Sequence, residues 1–198
     1  MDQIEAFILA GGASRRMGTD KARLFLEGKT LIERMSQTLG DFASRVVIVG
    51  QHSEDLSLES VSDIHPKWGA LGGIETALTN CKTEWAFVIA CDLPFATTDL
   101  CRRLSNFRQS HDAVVPIQQD LIPQPLCALY KVAPCLVQVT KLIKMGLRRP
   151  LDLLQNVNTK WVPFAEIEDL SGSENFFVNI NTPEDYYVAS RKGIAGGD

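Results

Sequence analysis

The chain has 198 residues, 24 of them acidic and 20 basic, and its net charge of -4 argues against a protein that binds nucleic acid through bulk electrostatics. A chain of this length buries roughly 70% of the surface that it exposes when unfolded, so its core needs no disulfides or structural metal. The five cysteines form no Cys-x-x-Cys pair, no signal-like leader opens the sequence, and no apolar run reaches the roughly 18 residues of a membrane span. We therefore expect a cytoplasmic protein with reduced, mostly buried cysteines and no membrane partner.

Short apolar runs, rich in β-branched and aromatic residues, alternate with segments of helical periodicity, as in a sheet covered on both faces. They predict strands over residues 6–10, 46–49, 85–91, 113–117, 126–130 and 176–180. Apolar residues at helical spacing predict one helix that begins near residue 31. They predict four more over residues 74–81, 98–109, 134–145 and 183–192. The pattern predicts an α/β fold, a three-layer sandwich around a mostly parallel, Rossmann-like sheet, in a single domain over residues 1–192 with a tail over 193–198.

The segment over residues 6–21, AFILAGGASRRMGTDK, joins the first predicted strand to a loop rich in glycine and positive charge. Its glycines let the main chain approach a ligand closely, and exposed backbone amides beside Arg15, Arg16 and Lys21 suit a polyphosphate. The spacing is neither that of a P-loop nor that of a dinucleotide-binding GxGxxG turn. The alternative is an ordinary strand-to-helix turn with solvated arginines.

A single carboxylate, Asp92, follows the strand predicted over 85–91, in the sequence WAFVIACDLP. Ligands of open parallel sheets gather outside the carboxyl ends of the strands, so we expect Asp92 to face the phosphates near Lys21. A carboxylate beside a triphosphate suits Mg²⁺, which takes one or two protein carboxylates together with phosphate oxygens and water. The alternative is an aspartate that caps the turn before Pro94.

Two further segments are candidates for ligand contacts. Three glycines in five positions, over residues 69–73, suit either a ligand at a helix N-terminus or a tight packing turn. In NINTPED, residues 179–185, strand alternation would point Asn179 and Asn181 toward the same side, although both also suit turns and caps. The polar stretches 53–62, 118–124 and 165–174 are predicted loops that could cover a site.

The sequence LAGGxSxRMGxDK over residues 9–21 resembles the signature loop of the MobA-like nucleotidyltransferases. Other segments follow in the order of the same family. Residues 69–73 resemble its GPLAG segment, with Ala70 in place of proline and Gly72 in place of alanine. CDLP, residues 91–94, resembles its CDxP segment, and residues 179–185 resemble its NxNTPED motif. The resemblance covers positions 9–185 and implies a sheet of the nucleotide-diphospho-sugar transferase type.

The resemblance also implies an activity, the transfer of GMP from GTP to molybdopterin, with Mg²⁺ as cofactor and pyrophosphate as the leaving group. The residues that it implies at the nucleotide are Leu9, Ala10, Gly11, Gly12, Lys21, Asp63, Gly69 and Asp92. Those implied in catalysis are Lys21, Arg16 and Asp92, with Asp92 as the metal ligand. At the molybdopterin it implies Asn179, Asn181 and one of Arg148 and Arg149. These two arginines belong to a basic group, with Lys141 and Lys144, that is otherwise typical of a solvated helix face.

One departure from the family concerns base choice. Gly50 follows the strand predicted over 46–49, where close family members often have a nucleotide-contacting asparagine. Two alternatives therefore stay open: a related nucleotidyltransferase that uses CTP or a sugar-phosphate acceptor, and a nucleotide-binding module without catalysis. Proteins that insert molybdenum and deliver the cofactor are expected partners of the guanylyltransferase.

Overall fold

The computed structural model describes residues 3–10, 25–26, 28–50, 58–66 and 68–180. Its strands in these ranges are β1 (Ile4–Leu9), β2 (Phe25–Leu26), β3 (Lys29–Thr30), β4 (Arg45–Val49), β5 (Ser60–Val61), β6 (Trp85–Ala90), β7 (Ala113–Pro116), β8 (Cys127–Lys131) and β9 (Thr159–Val162). Its α-helices there are α1 (Leu31–Gly40), α2 (Gly69–Asn80), α3 (Thr98–Ser105), α4 (Val132–Lys144) and α5 (Pro150–Leu154). The helix predicted over 183–192 and the tail predicted over 193–198 lie outside the described residues.

Seven of these strands form one sheet in the order β5-β4-β1-β6-β8-β7-β9, and β2 pairs with β3 in a separate two-stranded sheet. In the large sheet β1 pairs in parallel with β4 and β6, β4 with β5, and β7 with β9. Of the seven described strands, β8 alone runs the other way, antiparallel to both β6 and β7. The prediction of a mostly parallel sheet is confirmed. The other six end at one edge of the sheet, which we call the carboxyl edge; the opposite edge is the amino edge.

The sheet is buried on both faces, as β1 illustrates. Ile4, Ala6 and Ile8 pack in one core cluster, with the buried side chains of α1 and α3. Phe7 and Leu9 point to the other face and pack with those of α2, α4 and α5. Successive strand residues alternate between faces, so a strand covered on both sides is apolar at nearly every position; the exception in β1 is Glu5. The three-layer sandwich predicted from these runs is confirmed.

Two of the described helices, α1 and α3, begin at a threonine that caps them. Thr30 caps α1 by accepting from the backbone of Glu33, whose side chain accepts in return from the backbone of Thr30. Thr97 caps α3 in the simpler way, through its hydroxyl and the backbone of Leu100. α2 begins at Gly69, five residues before the helix predicted from residue 74, so the glycine segment lies in its first turns.

The strand predicted over 176–180 is wrong. Ser173–Asn175 forms a 3-10 helix, and the amide of Val178 then donates to the carbonyl of Asn175, which closes another turn. Phe176 and Ile180 are buried without any ladder of strand hydrogen bonds. A short apolar run occurs in strands and also in turns that insert single side chains into a core. Over only five residues, hydrophobic periodicity does not distinguish a strand from such a turn.

The five cysteines are all free thiols, and four of them are buried, as the sequence predicts. Burial raises the pKa of Cys127 and of Cys135 to about 12, so both stay protonated at neutral pH. Within the described ranges, no helix combines the length and the apolar character needed to cross a bilayer.

Candidate active site at the carboxyl edge

The first predicted motif and Asp92 are neighbours at the carboxyl edge. The amide of Cys91 donates to the carbonyl of Leu9 over 3.2 Å, and the amide of Ala10 donates to that of Val49 over 3.0 Å. These bonds extend the parallel ladders past the ends of β1 and β6, so Asp92 emerges beside the start of the glycine loop. Gly11, Gly12, Arg16 and Lys21 lie outside the described residues, and their roles stay predictions.

Asp92 is half-buried, and the segment after it is held firmly. Leu93 is fully buried, and the guanidinium of Arg34 on α1 donates from Nε to the carbonyl of Pro94 over 3.1 Å. The carbonyl of Asp92 itself accepts from the amide of Ile180 over 3.0 Å. A single main-chain bond therefore brings the late asparagine motif to the predicted metal ligand.

Of the two predicted asparagines, Asn179 is described and Asn181 is not. Asn179 is half-buried and directly precedes Ile180, so it lies at the same edge as Asp92. Its Nδ2 is 3.4 Å from the carbonyl of Phe177, a long and weak contact. The structure thus brings together Leu9, Ala10, Asp92 and Asn179.

Two of the glycines that open α2 are explained by packing against protein atoms. A Cβ on Gly72 would lie 2.8 Å from Cβ of Trp68 and 2.9 Å from the carbonyl oxygen of His65. A Cβ on Gly73 would lie 3.0 Å from Cδ1 of Leu9. Gly69 differs, because it has a φ of +62° and open space where its Cβ would be. The tight-turn interpretation therefore accounts for Gly72 and Gly73, whereas Gly69 leaves room for a ligand.

Asp63 lies beside α2 and is tied to it. Its Oδ1 accepts from the amide of His65 over 2.9 Å and lies 3.1 Å from Oγ1 of Thr76, a fully buried residue of α2. The amide of Ile64 in turn donates to Oγ1 of Thr76 over 3.0 Å. The carboxylate predicted to contact the nucleotide is thus held against the middle of α2, at Thr76.

Gly50 has a φ of 112°, and its amide donates to the carbonyl of Val61 over 2.9 Å. A residue other than glycine would have a strained backbone at this φ. Position 50 therefore differs from the asparagine of the family pattern in two ways: it has no side chain, and its backbone adopts a conformation that favours glycine.

Arg148 and Arg149 lie on the same face of the sheet as α2, and each already has a partner. The Trp68 indole donates to the carbonyl of Leu147 over 3.0 Å, and the guanidinium of Arg148 lies over the Trp68 ring, 4.7 Å from its centre. Arg149 donates to Asp152 over 2.8 Å, and this hydrogen bond raises the pKa of Arg149 and lowers that of Asp152. The contact between Trp68 and Arg148 joins α2 to the segment after α4, and no motif in the sequence indicates it.

A buried carboxylate that the sequence motifs do not mark lies between α2 and α4. Glu75 is 6% exposed, and its Oε1 accepts from Oγ1 of Thr140 over 2.7 Å. Its Oε2 lies 2.9 Å from Nε2 of His65, but the two are not aligned for a hydrogen bond. The described part of the chain contains no group of three or more His, Cys, Asp or Glu residues that could hold a metal ion by themselves.

A cavity of about 270 Å³ opens at the carboxyl edge, beyond the ends of β7 and β9. We call it the β7–β9 cavity. Its lining residues are Gln118, Gln119, Asp120, Phe164, Ser173, Glu174, Phe177 and Val178. Two of the polar stretches predicted as covering loops, 118–124 and 165–174, contribute to it. The sequence gives no sign that they meet, because their meeting depends on the pairing of β7 with β9.

Sequence comparisons point to one family. The pattern of the MobA-like NTP transferase domain matches residues 6–158. A probable molybdenum cofactor guanylyltransferase of Clostridium perfringens (strain 13 / Type A) is 33% identical over 191 residues, which cover 91% of this chain and 93% of that protein. The protein of the same name from Carboxydothermus hydrogenoformans is 33% identical over 188 residues, which cover 94% of each chain.

Solved structures show the same relationship. The crystal structure of molybdopterin-guanine dinucleotide biosynthesis protein A from Archaeoglobus fulgidus aligns with a TM-score of 0.83 at 27% identity, over 96% of this chain and 99% of that one. The 2-C-methyl-D-erythritol 4-phosphate cytidylyltransferase from Thermus thermophilus aligns with a TM-score of 0.73 at 15% identity, over 98% of this chain and 100% of that one, which is a likeness of fold alone. Because the family pattern matches most of its length, the chain belongs to the MobA-like NTP transferase family.

Proposed function

We propose that this protein is a molybdenum cofactor guanylyltransferase, which transfers GMP from GTP to molybdopterin and releases pyrophosphate. The observation that carries the proposal is the pair of main-chain bonds that set Asp92 beside both Leu9 and Ile180. Through them the residues that precede the predicted nucleotide loop, the predicted metal ligand and the first two residues of the late asparagine motif lie at one edge of the sheet. Curated relatives that carry the name molybdenum cofactor guanylyltransferase support the same assignment.

The reaction needs positioning and charge stabilisation more than a protein nucleophile. The terminal phosphate of molybdopterin is already anionic, so it needs alignment with the α-phosphorus of GTP and no activation by a side-chain base. Arg16 and Lys21 would neutralise the leaving pyrophosphate from the loop after β1, and Asn179 would orient the acceptor beside Asp92.

Asp92 fits a magnesium ion in number and kind of ligand. It supplies one hard carboxylate at an edge where triphosphate oxygens and water would complete the shell, and Mg²⁺ usually takes only one or two protein carboxylates. When bound, the ion would offset charge on the phosphates and favour departure of pyrophosphate.

Two other functions are distinguished by a simple assay. An enzyme for CTP or for a sugar-phosphate acceptor would keep the same site with a different base or acceptor, and the unusual Gly50 keeps this option relevant. A non-catalytic module would bind a nucleotide without releasing pyrophosphate. We would incubate the protein with molybdopterin, Mg²⁺ and each of the four nucleoside triphosphates, and measure pyrophosphate. Release of pyrophosphate with GTP alone supports the proposal. Release with CTP, or no release with any of the four nucleotides, contradicts it.

Variants test the roles within the site. We expect Lys21→Ala and Asp92→Asn each to lower kcat/KM by roughly a hundred- to a thousandfold, because each removes charge stabilisation from the transition state. Glu84→Gln is the matched control, since Glu84 is an exposed carboxylate just before β6, at the amino edge. Circular dichroism should show the same fold in all three. Near wild-type turnover in either site variant would remove that residue from the mechanism.

A further inference from the structure

The β7–β9 cavity lies on the acceptor side of Asp92. In the sheet, β6 separates β1, β4 and β5, whose ends carry the predicted nucleotide contacts, from β8, β7 and β9. The wall of the cavity ends at Val178, and Asn179 and Ile180 follow, with Ile180 bonded to the carbonyl of Asp92. A molecule in the cavity could therefore extend past Asn179 toward Asp92 while a nucleotide occupies the other side.

The charge of the cavity disfavours a phosphate. Among the described residues that line it, Asp120 and Glu174 are acidic and none is Lys or Arg. An anionic group would be repelled by these carboxylates. The end of a ligand that enters the cavity is therefore neutral or cationic and carries hydrogen-bond donors; a neutral pterin edge meets both conditions.

The walls of the cavity suit a flat, polar ring. Phe164 and Phe177 are each partly buried against the core cluster of the α1 side, so the two rings are held in place where they line the cavity. Aromatic faces stack on planar rings, and the side-chain amides of Gln118 and Gln119 offer both donors and acceptors. At about 270 Å³ the cavity is slightly smaller than pockets for drug-sized ligands, which start near 300 Å³, so it holds one ring system and not a nucleotide.

Each carboxylate of the cavity has one oxygen in a local contact. Oε1 of Glu174 accepts from Nδ2 of Asn175 over 2.8 Å, and Oδ1 of Asp120 accepts from the amide of Ile122 over 3.3 Å. A carboxylate has about four acceptor positions, so both groups keep acceptor capacity for a ligand. A pterin presents its 2-amino group and N3–H side by side, which is a donor pair that matches one carboxylate.

We propose that the β7–β9 cavity binds the pterin ring of the acceptor, with Glu174 and Asp120 accepting hydrogen bonds from its 2-amino and N3–H edge. The inference rests on the proposed function, because it takes molybdopterin as the acceptor. Binding in the cavity would orient molybdopterin with its pterin among acidic side chains and its terminal phosphate at Asp92. Charge repulsion disfavours the reverse orientation, so the cavity acts in specificity as well as in affinity.

Direct binding tests the cavity without any nucleotide. We would titrate the full chain with 6-hydroxymethylpterin, a fluorescent pterin without phosphate, and with the matching lumazine, in which an oxo group replaces the 2-amino group. The wild type should bind the pterin at least ten times more tightly than the lumazine. Glu174→Gln and Asp120→Asn should each weaken pterin binding by about ten- to a hundredfold and reduce that preference, because each replaces a charged acceptor.

Glu168→Gln is the matched control, since Glu168 is an exposed carboxylate on the same segment and does not line the cavity. Thermal unfolding of each variant would verify its fold. Equal pterin binding in the wild type and in both cavity variants would overturn the proposal, and so would a wild type without preference for the pterin over the lumazine.

Steady-state kinetics separates this inference from the proposed function. In Glu174→Gln we expect the KM for molybdopterin to rise at least tenfold, with kcat and the KM for GTP unchanged. If GMP transfer occurs but this KM does not change, the cavity assignment fails and the proposed function stands. If no transfer occurs with any nucleotide, the proposed function fails, and the pterin titration still decides whether the cavity recognises a pterin.

Discussion

Among single residues, the glycines of α2 show how one residue type serves two purposes. Sequence motifs group Gly69, Gly72 and Gly73 as one ligand-binding segment, yet Gly72 and Gly73 lie against Trp68, His65 and Leu9. Composition predicts that the backbone is closely approached, but it does not tell whether the approaching atoms belong to a ligand or to the protein. That information is in the tertiary packing.

The packing of Gly72 gives a prediction at this scale. We expect Gly72→Ala to lower the free energy of unfolding by about 1–3 kcal/mol, because the new methyl group would meet the His65 carbonyl, which cannot easily move. Urea denaturation would measure the change.

Gly40 provides the control, as the last residue of α1 with open space around the position of a Cβ. Gly40→Ala should leave stability unchanged or raise it by up to about 1 kcal/mol. Equal effects of the two substitutions would show that the close contacts at Gly72 are relieved at no cost.

At the scale of elements, the capping box of α1 makes helix stability depend on pH. Hydrogen bonds from the backbone and the hydroxyl of Thr30 hold the pKa of Glu33 below its ordinary value. A lowered pKa in the folded state contributes stability above the pKa of the unfolded chain, and this stability is lost as pH falls through the folded value. Thr30→Ala should therefore lower the free energy of unfolding more at about pH 7 than at about pH 3.

The cap of α3 is the comparison for that pH dependence. Thr97 accepts from the amide of Leu100 and has no acidic partner in a capping box. Thr97→Ala should cost about 1 kcal/mol at both pH values. Urea denaturation of both variants at the two pH values would test this, and a pH-independent loss for Thr30→Ala would contradict the role of Glu33.

The contact between α2 and α4 includes the buried carboxyl group of Glu75, whose hydroxyl partner is Thr140. Thr140→Val should lower the free energy of unfolding by about 1–3 kcal/mol, because Oε1 of Glu75 would lose its partner while remaining buried. In a Glu75→Leu background the same change should cost less than about 0.5 kcal/mol. A double-mutant cycle in urea would measure the difference, and additive losses would show that the two groups are not coupled.

Elements also mark where prediction from sequence succeeds and where it stops. The runs at β1 and β6 are long, apolar and buried on both faces, so their type is evident and their ends are nearly correct. β9 reads TKWV, two polar residues followed by two apolar ones, so it lacks the alternation that would distinguish it from a loop. α5 has five residues, too few to establish a helical period. The direction of β8 depends on its neighbours and not on its own sequence.

For the whole molecule, the two edges of the sheet have different tasks. At the amino edge Glu5 has a side chain only 5% exposed, and it accepts from Nη1 of Arg45 over 2.9 Å and from the amide of Lys82 over 2.9 Å. Arg45 also pairs with Glu59, and the two carboxylates raise the pKa of Arg45, with Glu59 the larger cause. These ions join β1, β4 and the residues around β5, far from the residues assigned to chemistry.

This separation predicts that stability and activity can be changed independently. Arg45→Met should lower the free energy of unfolding by about 3 kcal/mol, because Glu5 would remain buried without its cation. Glu59→Gln, which alters the 52%-exposed partner, should cost less than about 1 kcal/mol. Thermal unfolding and kcat/KM per folded molecule would be measured together. A fall in kcat/KM with Arg45→Met, at a temperature where the variant is folded, would contradict the independence of the edges.

The reversal of β8 has an electrical consequence at the carboxyl edge. Because β8 ends at the amino edge, α4 starts there and presents its C-terminal end where α2 presents its N-terminal end. A helix carries roughly half a positive charge at its first turn and half a negative charge at its last. One side of the site therefore attracts anions through its backbone, and the other repels them unless side chains compensate. The cations at that second helix end are Lys141, Lys144, Arg148 and Arg149. These side chains offset the negative end of the α4 dipole.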